Sequence, residues 1–190
     1  MTDEPTHAGG PAESLSWETL YGETAYICPG FDVQRERVRL PDGTESDFDY
    51  LSDSESVVIV PFTADGDAVV IDEWRQAVKR VNRGFPAGGV EGEDADLAAT
   101  ARRELEEETG YVADEVEHLT TMEPANGVAD AVFHYFVATG CEPNGERELD
   151  HNESISVETT AFEDLLTAAE AGELRDGRTA FGVCYYELFG

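Results

Sequence analysis

Positive charge is what this chain has least of. Its 190 residues carry 12 Lys+Arg against 42 Asp+Glu, a formal net charge of −30, and Lys79 is the single lysine. A field of that sign repels phosphate backbones and anionic lipid, which argues against a nucleic-acid partner and against a membrane surface. Cysteine is scarce as well. Cys28, Cys141 and Cys184 are an odd number at wide spacing with no Cys-x-x-Cys pair, so neither a disulfide framework nor a zinc site is indicated and the thiols read as reduced. Long apolar runs are missing too. The strongest is Val57–Phe62, far short of the ~20 residues of a membrane span, and Met1–Ser16 is polar and acidic with no apolar h-region. These absences predict a cytoplasmic protein. No internal repeat or low-complexity tract occurs, and no Gly-x-Gly-x-x-Gly follows a strand-like run, which argues against a Rossmann βαβ series.

What is present is a folded composition. Hydrophobic residues make up 41% and aromatics 9%, enough for a core in one domain with a small appendage. The acids are spread from Asp3 to Glu187 rather than gathered in a tract. With lysine nearly absent, that distribution reads as adaptation to molar salt, where a Debye length of ~3 Å screens self-repulsion.

Along the chain, a loose start over residues 1–16 gives way to a β-meander over 17–54, with strand-like runs at Thr24–Cys28, Val33–Leu40 and Phe48–Leu51 and a turn at Pro41-Asp42-Gly43. Ser56–Phe62 and Ala68–Trp74 are Val/Ile-rich and flank Asp65-Gly66-Asp67, a hairpin signal. A Gly-rich loop, Phe85-Pro86-Ala87-Gly88-Gly89, precedes the strongest helix, about Asp96–Thr109, capped by Asp94 or Asp96 and stopped by Gly110. Val116–Glu123 and Val132–Thr139 read as strands, Phe162–Ala171 and Thr179–Phe189 as helices. Strands first, one strong helix in the middle and two at the end make an α+β, mixed-sheet sandwich.

The most informative stretch is Arg103-Glu104-Leu105-Glu106-Glu107-Glu108-Thr109-Gly110-Tyr111. At roughly 100° per residue, Glu104, Glu107 and Glu108 fall on one patch of the helix, where like charges repel unless a cation sits among them. Hard oxygen donors at that density suit Mg²⁺ or Mn²⁺ bridging substrate phosphates. An ordinary acidic helix face is the competing account, and the flanking Gly-rich segment, Arg103 and Gly110-Tyr111 weigh against it.

This stretch resembles the second half of the Nudix box, Gly-x5-Glu-x7-Arg-Glu-U-x-Glu-Glu-x-Gly-U, with U an aliphatic or aromatic residue. Counting back from Arg103 puts Gly89 on the opening glycine and Ala95 on the first glutamate, with Glu93 nearby in a rearranged loop. Val38–Gly43, Asp72–Arg75, Phe85–Gly88 and the two late helices are similar to the ADP-ribose pyrophosphatase branch, from about Trp17 to the C-terminus. The resemblance implies an α/β/α Nudix sandwich over 55–190, a small N-terminal antiparallel β-subdomain over 17–54, and a homodimer.

It further implies that Glu104 and Glu108 ligate metal, Glu107 ligates it or holds a bound water, the Ala87 carbonyl adds a ligand, and Arg103 fixes the glutamates. The water-activating carboxylate of the branch comes from a later loop, where Glu153 is the best match with Asp150 behind it. Arg75 aligns with a phosphate-contacting arginine, and Gly88 and Gly89 border the substrate. Arg75, Lys79, Arg80, Arg83, Arg102 and Arg103 crowd the same stretch of sequence, either lining a diphosphate site or balancing nearby acids. Gly84 and Ala125–Ala131 depart from the branch pattern. The implied activity is Mg²⁺-dependent hydrolysis of a nucleoside diphosphate derivative, ADP-ribose to AMP and ribose 5-phosphate. The alternatives are another nucleotide or nucleotide-sugar diphosphate, or a Nudix-fold sensor that binds without turnover.

Overall fold

The structure, a computed structural model, describes residues 15–190. Most of the stretch read as a flexible N-terminus, residues 1–14, lies outside the described residues. Two compact units divide the chain: residues up to Asp53 together with 125–131, and residues 54–124 together with 132–190.

In the first unit β1 (Glu18–Cys28), β2 (Phe31–Arg39) and β3 (Glu45–Ser52) form an antiparallel sheet in that order. The period-2 alternation of a strand puts Arg35, Arg37 and Arg39 on one face. Their cross-strand neighbours are acids, and the pairs close at 2.7 Å to Asp49, 2.9 Å to Asp47 and 2.6 Å to Glu18. Each exposed pair contributes little by itself, but together they keep the acids of β1 and β3 from facing one another uncompensated. Residues 125–131 attach to β3: the Leu51 N–H donates to the Val128 carbonyl at 2.9 Å, and Ser52 Oγ donates to Asp130 at 2.8 Å.

The second unit is built on β4 (Ser56–Thr63), β5 (Ala68–Arg75), β6 (Arg80–Gly84), β7 (Ala87–Gly89), β8 (Glu115–Met122), β9 (Phe133–Cys141) and β10 (Ile155–Thr160). Its helices are α1 (Leu97–Thr109), α2 (Phe162–Glu170) and α3 (Gly177–Phe189). The sheet runs β10-β5-β4-β9-β8, with β6 added to β5 and β7 to β4. It is mixed, because β4 and β9 are parallel and the other pairs antiparallel.

Alternate residues of β4 feed opposite faces. Val57 and Ile59 pack with Ala101 and Leu105 of α1, while Val58 and Val60 pack with Leu165 of α2 and Val183 of α3. Burial on both faces explains why β4 is apolar without alternation. The result is the α/β/α sandwich that the resemblance implied.

One feature departs from the sequence reading and sets up the site. The β4–β5 hairpin pairs only at Phe62 and Ala68. Beyond that point the strands diverge, and the returning chain enters: β6 pairs with β5 from Ile71–Gly84 to Arg75–Arg80, and β7 pairs with β4 from Val58–Ala87 to Ser56–Gly89. The Gly-rich segment read as a loop is therefore, from Ala87 to Gly89, a strand. Its formation depends on a partner remote in sequence, which the local pattern does not carry.

Candidate functional site

Helix α1 begins at Asp96, whose carboxylate accepts from the Ala99 N–H at 2.8 Å, and ends at Gly110 in the left-handed conformation with φ 75°. Of the two expected caps, Asp96 is the one used. Ala101, Leu105 and Glu108 recur at the spacing of one helix face, and all three are buried. Glu108 is therefore carried inward by the same stripe that packs α1 on the sheet. There its Oε2 accepts from the Ala87 N–H at 3.0 Å. Glu104, one turn earlier, lies against Gly88 so closely that a Cβ there would overlap its carboxylate. The two glycines of β7 are thus unequal: a Cβ at Gly89 would meet only Ser54 Oγ, at 3.6 Å.

Arg103 ties this corner together. Its Nη1 donates to Glu104 at 2.8 Å and to Glu107 at 2.9 Å, and its Nη2 to the Gly89 carbonyl at 2.9 Å. Two further hydrogen bonds go to Asp94, from Nε at 3.1 Å and Nη2 at 2.9 Å, and Glu91 stands at 3.9 Å. Asp94 also accepts from the Glu91 N–H and from Thr100 Oγ1, both at 3.0 Å. Where the box's first glutamate is missing, the carboxylate that engages Arg103 is that of Asp94, not Glu93. The signal for it was an acid one position from the expected one, ahead of a cap.

A third element completes the pocket. Arg147 Nε donates to the Glu108 carbonyl at 3.1 Å and its Nη2 to the Ile155 carbonyl at 3.0 Å, while the Glu148 N–H donates to the Glu107 carbonyl at 3.0 Å. Carbonyls in the last turn of a helix have no intrahelical partner, and these contacts use them to hang the 145–154 segment on the end of α1. Glu148, Asp150 and Glu153 then line one pocket of about 50 Å³ with Arg103, Glu104, Glu107 and Glu108. Glu153 also accepts from the Asp150 N–H at 3.0 Å, closing its own turn.

Burial shifts the titration of two of these acids. Burial, reinforced by the charges of Glu104, Glu153 and Glu73, pushes Glu108 up to about 8 even though the Ala87 N–H opposes it. Burial likewise pushes Glu104 up to about 7 against the pull of Arg103. Asp94 moves the other way, held well below the usual carboxylate range by its hydrogen bonds from Arg103.

The six cations adjacent in sequence do not form one lining. Arg83 is bound by Asp72 at 2.8 Å and also by Glu158. Arg80 donates to Asn82, and Arg102 to the carbonyls of Ala113 and Asp114. Arg75 pairs with the buried Glu73 at 2.7 Å in an adjoining pocket. Among them only Arg103 reaches the glutamates. The adjoining pocket has a cation that the sequence reading missed, Arg178, from the first turn of α3. Gly84 belongs to this contact, since a Cβ there would stand 3.1 Å from Thr179 Oγ1 and 3.4 Å from Asp176. A longer side chain at 84 would displace the start of α3.

Comparison with known proteins bears on the family and the fold. The NUDIX domain profile matches residues 54–179. The chain is 33% identical over 178 residues to an ADP-ribose pyrophosphatase of Bacillus subtilis, covering 93% of this chain and 95% of that one. It is 31% identical over 140 residues to an ADP-ribose pyrophosphatase of Mycobacterium tuberculosis, covering 73% and 67%. In fold it is similar to a crystal structure of an ADP compounds hydrolase, with a TM-score of 0.80 and 20% identity over 90% of this chain and 92% of that one. With Glu104 and Glu107 held by Arg103 and Glu108 by the Ala87 N–H, and with its matched segment spanning most of the sheet, the chain belongs to the NUDIX family.

Proposed function

We propose that this protein is a divalent-metal-dependent hydrolase of nucleoside diphosphate derivatives, with ADP-ribose, cleaved to AMP and ribose 5-phosphate, as its substrate. The observation that carries the reading is the burial of Glu104 and Glu108 beside one another, where neither would ionise readily without a further cation. The names of the two pyrophosphatase relatives support the substrate.

The donor set fits Mg²⁺ or Mn²⁺ because it is all oxygen. Among the described residues no group of three Asp, Glu, His or Cys side chains is already arranged as a metal site. The reason is on hand: Arg103 Nη1 lies between Glu104 and Glu107. Glu104 and Glu108 would hold the metal, with Glu107 and the Ala87 carbonyl completing its protein ligands. When bound, a divalent cation would neutralise the diphosphate and stabilise the charge developing on the leaving phosphate.

The chain's own residues supply the rest. Arg103 holds Glu104 and Glu107 in the pocket and is itself anchored by Asp94. Glu153 faces the same pocket from the 145–154 segment and is the residue we assign to take the proton of the attacking water. Arg75, beside Glu73, is the phosphate contact next to this pocket.

The −30 charge fits a protein working in molar salt, and the exposed Tyr21, Tyr26, Ile27 and Phe31 of the N-terminal sheet support a homodimer. The test is incubation with a panel of nucleoside diphosphate derivatives and Mg²⁺, in dilute buffer and in molar KCl. ADP-ribose should release AMP and ribose 5-phosphate. Binding of ADP-ribose with no product, equal in wild type and Glu108→Gln, would establish a sensor instead.

A further inference from the structure

We propose that Arg178 is a substrate-positioning residue, and that the cavity it shares with Met122, Pro124, Phe133 and Asp176 receives the sugar beyond the diphosphate. The proposal rests on the diphosphate-hydrolase reading above.

The cavity has a volume of about 380 Å³, the size of a small-ligand subsite. Its floor is apolar, from Met122, Pro124, Phe133 and the fully buried Tyr135, and its rim is polar, from Asp176 and Arg178. A sugar ring has the matching character: one apolar face for the floor, with hydroxyls for a carboxylate acceptor and a guanidinium donor. Among the described residues Phe133 is the single aromatic ring there that is not fully buried, so those residues offer a purine no second ring to stack against.

Arg178 also lines the narrow pocket of Glu73 and Arg75. The charges of Arg75, Arg178 and Glu153 all act on Glu73. Arg178 is thus shared by the pocket of Glu73 and Arg75 and by the apolar cavity. A diphosphate spanning from the glutamates toward Arg75 would carry its distal group to Arg178.

The state of Arg178 suits a cation awaiting a ligand. Arg83, Arg102 and Arg103 each make two or more close bonds to the protein. Among the described residues the Arg178 guanidinium has one long contact, Nε to Asp176 Oδ1 at 3.5 Å. It also stands in the first turn of α3, where the helix dipole disfavours positive charge. Its backbone is fixed all the same, because Tyr135 Oη donates to the Arg178 carbonyl at 3.2 Å and Asp176 caps the helix through Thr179.

Calorimetric titration of ADP-ribose, AMP and ribose 5-phosphate into the full chain, wild type and Arg178→Ala and Arg178→Lys, without Mg²⁺ in molar KCl, separates the two halves of the substrate. Arg178→Ala should weaken ADP-ribose and ribose 5-phosphate by ~10-fold or more, the loss of charged hydrogen bonds, and leave AMP nearly unchanged. With Mg²⁺ its KM for ADP-ribose should rise by a similar factor at nearly constant kcat, and Arg178→Lys should recover part of the loss. Met122→Trp, which narrows the cavity from its apolar lining and keeps Arg178, should give the same split and serves if Arg178→Ala does not fold. Equal weakening of AMP and ribose 5-phosphate, or of neither, overturns the proposal. Arg178-dependent binding of ribose 5-phosphate by a wild type that hydrolyses no diphosphate would overturn the proposed function and sustain the subsite. A wild type that binds none of the three overturns both.

Discussion

The Ala87 N–H donates to Glu108 Oε2 at 3.0 Å across 21 residues of sequence, joining β7 to the buried face of α1. That bond holds a buried carboxylate at the edge of the acidic pocket, with other carboxylates as its neighbours.

The first expectation concerns pH. Burial raises Glu108 to about 8 and Glu104 to about 7, from the 4.5 of a free glutamate. Between 4.5 and 8 the folded protein therefore holds protons that the unfolded chain has released, and the metal-free protein loses stability as pH rises through that window. Melting of the metal-free protein at constant KCl should show a midpoint falling from pH 5 to pH 8. Glu108→Gln should flatten the slope, and Mg²⁺ should restore the wild-type midpoint at pH 8. A Glu108→Gln slope identical to wild type would remove the buried carboxylate as the cause.

Gly88 and Gly89 make an internal comparison. Gly88→Ala places a methyl group in the Glu104 carboxylate, whereas Gly89→Ala meets Ser54 Oγ at an ordinary 3.6 Å. Mn²⁺ affinity, followed by electron paramagnetic resonance, should drop by ~10-fold or more in Gly88→Ala, as when a ligand's support is lost. It should stay near wild type in Gly89→Ala. Equal effects would show that the crowding of Glu104 against β7 does not matter to the metal.

Arg103 is the counter-charge for Asp94, Glu104 and Glu107, and its side chain is 22% exposed while those of Asp94 and Glu104 are 8% and 12% exposed. Arg103→Ala leaves mostly buried carboxylates unpaired, which costs about 3 kcal/mol. Denaturant unfolding at fixed KCl should register that loss, and Arg103→Lys should recover only part because an ammonium cannot span the fork. Asp94→Asn combined with Arg103→Ala should cost less than the sum of the two. Strict additivity would mean that Asp94 and Arg103 do not act as a pair.

Much of the fold follows from local pattern. The unbroken apolar run of Val57–Phe62 marks a strand covered on both faces, and it is one. Ala101, Leu105 and Glu108 mark a helix face, and the glutamates on that face lie where the spacing puts them. Strands β6 and β7 are different. Arg80–Gly84 and Ala87–Gly89 have no strand-like alternation, and they are extended because an opened hairpin offers them unpaired edges.

The site divides along the same line. Glu104, Glu107, Glu108 and Arg103 are within one helix and were legible as a motif. Adjacency misled for the other cations, since Arg83 and Arg102 are drawn to acids and carbonyls elsewhere. Asp94 took the role expected near Ala95, and Arg147 and Arg178 join the site from segments far along the chain.

The sequence by itself determined the charge, the strand and helix periods and the glutamate patch, because each depends on residues within a turn or two of one another. Only the tertiary structure decided which carboxylates are buried, which arginines remain available and which cavity lies beside them. Desolvation and ion pairing act through space, and the partners that set them are brought together by the sheet rather than by the chain.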